Sequence, residues 1–86
     1  MSDLYSTDHT ALARAIYCLY PGTFKYPKWE LDPKGQKYRC VYYFEEPAYM
    51  QAVEVLFWDR HLPIDAITYN ESLTWAREQQ ALVKPT

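Results

Sequence analysis

Cys18, Cys40, His9 and His61 are the residues of this chain with the chemistry to hold a metal or attack a substrate. A structural zinc site usually draws its ligands in pairs from one turn, spaced as C-x2-4-C or H-x3-5-H. Here each of the four stands far from the next, so the spacing argues against a metal site and the thiols read as small apolar fillers. A cysteine nucleophile would need a histidine base and an orienting acid. Asp59-Arg60-His61 supplies those types, but the run reads more simply as a helix end whose basic side chains complement the negative pole of the helix dipole. Glu45-Glu46 could act as acid and base. Standing just before Pro47, however, they suit a helix start, where carboxylates meet the positive pole and proline fits the first turn. With only two glycines, the chain has no phosphate-binding loop. It is therefore read as non-enzymatic, with no catalytic residue, no metal and no cofactor.

Recognition is the chemistry that remains. Nine tyrosines dominate the aromatic content, and an apolar ring with a polar tip serves either a wet-edged core or a contact surface. Residues 25–39 hold five basic side chains (Lys25, Lys28, Lys34, Lys37, Arg39) against two acidic ones (Glu30, Asp32), a local charge of +3 on a chain whose total is −2. Basic residues interleaved with aromatics are how single strands of nucleic acid are held, and Lys34, Lys37, Arg39 and Tyr43 would carry such a contact. Protein binding is the preferred reading. On a helical wheel Trp58 falls beside Gln51 and Glu54 on the polar side of its helix, with Val55 next to it, while Trp75, Tyr17 and Tyr43 also stand outside the expected core. Tryptophan and tyrosine anchor protein interfaces, and an exposed tryptophan on a small domain marks contact. The expected partner is another protein, with a homodimer satisfying the same surface; nucleic acid is the alternative.

The elements that must position these residues are organised around a hairpin. Lys28 to Asp32 and Lys37 to Phe44 alternate as strands about a turn at Pro33-Lys34-Gly35. Setting Leu31 opposite Tyr38 places Glu30 across from Arg39 and Asp32 across from Lys37, and keeps Trp29 and Leu31 on one face with Tyr38, Cys40, Tyr42 and Phe44. The other face, with Val41 and Tyr43, is left to water. A type I turn with left-handed Gly35 competes and would shift the pairing by one.

Before the hairpin, Leu12, Ala15, Ile16, Leu19 and Tyr20 share a helical face, with Ser6, Thr7 or Asp8 as the cap, Arg14 and Tyr17 pointing away, and Pro21-Gly22 as the end. After it, a second helix runs from Pro47 to about His61, its core stripe made of Tyr49, Met50, Ala52, Val53, Leu56 and Phe57. Residues 64–69 fit a strand or a helix, and helix is preferred. Asn70 is placed to cap a last helix reaching Leu82, in which Trp75 and Leu82 lie opposite Leu73. The chain is thus expected to be one α+β domain over residues 1–86, in the order helix, strand, strand, helix, helix. Its two- or three-stranded antiparallel sheet packs against the helices, and 1–6 and 84–86 are loose tails. Neither a signal peptide nor a membrane span is present in the sequence, so a cytoplasmic location is expected.

Overall fold

The hairpin forms in the register that its charges favour. In the computed structural model, which describes residues 3–83, β2 (Phe24–Leu31) and β3 (Tyr38–Phe44) pair antiparallel with Leu31 opposite Tyr38 and Glu30 opposite Arg39. Asp32 N–H donates to the Lys37 carbonyl at 2.9 Å, extending the same register into the turn. Gly35 is left-handed (φ 68°) and its N–H donates to the Asp32 carbonyl, yet the pairing does not slip. The Asp32 carboxylate helps to hold the loop by accepting the Gln36 N–H, a bond that keeps its pKa below the usual carboxylate range. A bulge at Lys25 then turns Phe24 onto the inner face against Phe44 and Tyr26 onto the outer face against Tyr43. Pro27 is tolerated because β2 is an edge strand.

The third strand comes from the N-terminus. Residues 5–6, expected in a loose tail, belong to β1 (Tyr5–Thr7), which pairs antiparallel with Phe44, Tyr43 and Tyr42 and gives the sheet order β1-β3-β2. Residues 3–4 precede the strand without regular structure, and tail residues 1–2 and 84–86 lie outside the described residues. Because the strand runs to Thr7, helix α1 (Thr10–Leu19) starts later than expected, and its cap is His9, whose Nδ1 accepts the Leu12 N–H at 3.2 Å. Thr7 and Asp8 have other partners: Thr7 Oγ1 accepts the His9 N–H, and Asp8 pairs with Arg39.

All three helices pack on one face of the sheet. The core joins Tyr5, Cys40, Tyr42 and Phe44 of the sheet to Leu12 and Ile16 of α1, Met50 and Val53 of α2 (Pro47–Trp58), and Trp75 and Ala76 of α3 (Ala66–Val83). Val41 departs from the expectation of a solvated outer face, for it is buried there with Lys28 opposite and Arg39 and Tyr43 on either side, all long side chains.

Helix α2 begins at Pro47 as expected, but no side chain caps it. Glu46 is left-handed (φ 57°), and Glu45 is paired with Lys25. It ends at Trp58, short of His61. His61 N–H reaches the Leu56 carbonyl and Arg60 N–H the Phe57 carbonyl, the paired closure that follows a left-handed residue, here Arg60 at φ 61°. Helix α3 is continuous from Ala66. Its cap is Asp65, whose carboxylate accepts from the Thr68 N–H at 3.0 Å; Asn70 lies inside the helix and caps nothing. Arg14 turns towards α3, contrary to expectation, donating from Nε to Ser72 Oγ and from Nη2 to the Tyr69 carbonyl at 2.8 Å while lying over the Tyr69 ring.

Candidate protein-binding face

The protein-binding residues singled out from the sequence separate into four places. Gln51, Val55 and Trp58, spaced by four and three positions, project together from the outer side of α2. Val55 is 59% and Trp58 55% exposed. The Trp58 ring stands edge-on to His9, with centroids 4.8 Å apart, and to Phe57 at 5.1 Å, so it is fixed in place while presenting half its surface to solvent.

Glu54 does not join them. It turns towards β1, where the Tyr5 hydroxyl donates to its Oε1; burial, followed by that carboxylate, holds the Tyr5 hydroxyl well above its usual pKa. Tyr43 lies on the opposite side of the sheet, its ring 5.0 Å from Tyr26 and its hydroxyl donating to Glu30, which pushes its pKa up to about 12.

Trp75 and Tyr17 require a correction. Trp75, expected outside the core, is 9% exposed: its ring stacks on Tyr17 at 4.1 Å and meets Phe24 at 5.0 Å and Tyr42 at 5.7 Å. The wheel misled because the inner side of α3 is partly polar. Ser72 is buried there, and the Gln80 side-chain amide donates to the Tyr42 hydroxyl while its backbone carbonyl accepts from Trp29 Nε1, each at 3.0 Å, so Leu73 looked like the inward residue.

The outer side of α2 is broader than the sequence suggested. Tyr49, Ala52 and Leu56, assigned to the core stripe, are exposed together with Ala48, because the helix rests on Met50, Val53 and Phe57 instead. Tyr49 is held by Tyr20, hydroxyl to hydroxyl at 2.8 Å. Apart from Gln51, every exposed residue of α2 is apolar or aromatic, and the only charge in its twelve residues is Glu54, which is engaged with Tyr5. A signal was available in the sequence: a helix apolar on nearly all sides in so small a domain cannot bury all of them.

The basic hairpin is neutralised in part, at two of its five basic side chains. Arg39 Nη1 lies 2.6 Å from Asp8, Lys25 Nζ lies 3.0 Å from Glu45, and Lys34 and Lys37 stand exposed near the turn. Cys40 is buried, which raises its thiol pKa, and Cys18 donates to the Thr68 carbonyl. Among the described residues no three of His, Cys, Asp and Glu gather as metal ligands, and no helix is long and apolar enough to cross a membrane. Set against known protein families, curated proteins and solved structures, the chain matches none.

Proposed function

We propose that this protein is a non-enzymatic cytoplasmic module that binds another protein stoichiometrically, as an adaptor, inhibitor or small regulatory subunit, through the outer face of α2. One observation carries the reading: the exposed side of α2 bears no charge and presents Tyr49, Val55, Leu56 and Trp58 to solvent. Burying a single such side chain is worth roughly 1.5–3 kcal/mol. A contiguous row of them matches the centre of a protein interface, which is depleted in charge and anchored by aromatics. Nucleic-acid binding through Lys34, Lys37, Arg39 and Tyr43 has less support, since Arg39 and Tyr43 already hold Asp8 and Glu30.

A photo-crosslinking side chain at Val55 tests the proposal in extract from the cells that make the protein. The expected result is a discrete adduct of defined mass, abolished by Leu56→Glu and not formed from the same group placed at Glu78 on α3. An adduct of twice the chain mass identifies the partner as a second copy. Equal labelling from both positions, or no discrete adduct from Val55, refutes the reading.

A further inference from the structure

Where the last turn of α2 meets the start of α1 and the connection to α3, an open groove of about 490 Å³ is lined by His9, Phe57, Trp58, Arg60, Leu62 and Ile64. It is continuous with the outer face of α2 through Trp58. Its walls are aromatic and aliphatic, and its only ionisable groups, His9 and Arg60, are both basic. Among the described residues no carboxylate lines it, although the chain as a whole carries −2. The donors are available. His9 Nδ1 is occupied in accepting the Leu12 N–H, which leaves the ring proton on Nε2, and Arg60 forms no ion pair among the described residues.

Arg60 is also the wrong residue for its backbone. The left-handed closure of a helix is usually given to glycine, because a side chain there meets the following carbonyl. Its guanidinium lines the groove, where the planar fork suits a carboxylate.

We infer that this groove takes an apolar side chain of a partner protein that carries an aspartate or glutamate within two residues of it, the carboxylate meeting Arg60 and His9. This rests on the protein-binding reading of α2 and names the chemistry of the partner segment. Bidentate pairing of guanidinium with carboxylate supplies direction, and the ring of Trp58 supplies the apolar contact.

Random twelve-residue peptides displayed between two fixed flanks, panned against the full chain, test the inference. Enriched sequences are expected to pair an aromatic or branched aliphatic residue with Asp or Glu within two positions. A synthetic version, blocked at both ends, should lose at least tenfold in affinity when its carboxylate is exchanged for the amide. It should lose as much against Arg60→Gly, a variant that relieves the backbone and therefore folds. Enriched peptides lacking an acid, binding that survives Arg60→Gly, binding that needs a free C-terminal carboxylate, or no enrichment at all overturns the inference. Peptides insensitive to Arg60→Gly but lost with Val55→Glu would overturn the groove while leaving the α2 reading standing.

Discussion

Trp75→Ala and Trp58→Ala should differ several-fold in their effect on stability, although both truncate a tryptophan on a helix. Taking about 200 Å² for the side chain, Trp75 at 9% exposure loses about 180 Å² of burial and Trp58 at 55% about 90 Å². At about 25 cal/mol per Å² these are upper estimates of about 4.5 and 2 kcal/mol, reduced because the unfolded chain already covers part of the area. The sites then diverge further. Trp75 is enclosed by Tyr17, Phe24 and Tyr42, so its loss leaves a cavity with its own penalty, whereas water fills the space left by Trp58. Net costs of about 4 kcal/mol for Trp75→Ala and about 1 kcal/mol for Trp58→Ala follow. Against roughly 4–13 kcal/mol for a domain of 86 residues, the first is a large share of the total and lowers the melting temperature by about 16 °C or more. Urea unfolding followed by far-ultraviolet circular dichroism measures both, with Trp75→Phe as the milder variant should the alanine form fail to fold. Equal losses from the two alanine variants, or a larger loss from Trp58→Ala, would refute the placement of Trp75 in the core.

Asp65→Ala should cost about 1 kcal/mol as the lost cap of α3, and Asn70→Ala less than about 0.5 kcal/mol, by the same unfolding measurement. Tyr43 ionises at about 12 in the folded chain, through its bond to Glu30, against about 10 when unfolded. That bond contributes in full below pH 10 and is lost as pH rises to about 12. Stability should fall across this window, and more shallowly in Tyr43→Phe; parallel curves for the two proteins would exclude the bond. Arg60→Gly should raise stability by about 0.5–1 kcal/mol, the relief of left-handed strain exceeding the added freedom of the unfolded chain.

The hairpin was readable because charge and parity constrain it together: only one register gives Glu30 to Arg39 and Asp32 to Lys37 while keeping Trp29 with Cys40. The α+β class and the start of α2 at Pro47 followed from proline placement and period. The candidate face was half readable. A wheel gives directions around α2 but not which direction meets the sheet, so Trp58 and Val55 were found while Tyr49, Ala52 and Leu56 were assigned inward. β1 was invisible because three residues, Tyr-Ser-Thr, are too few to show alternation and gain their stability only by pairing with β3, far along the chain. Trp75 was missed for a related reason: the inner side of α3 is written in Ser72, Gln80 and their hydrogen bonds, which a hydrophobic period does not register.

The ring cluster around Trp75 also sets a timetable. Tyr17, Phe24 and Tyr42 leave the ribosome well before the helix that covers them, and β1 has no partner until β3 has been made. For that interval the growing chain displays an adhesive aromatic floor, the kind of surface on which nascent proteins aggregate or are captured by chaperones. A chain truncated before Ala66 would lack Trp75 and Ala76, the side of α3 that closes the inner face of the sheet.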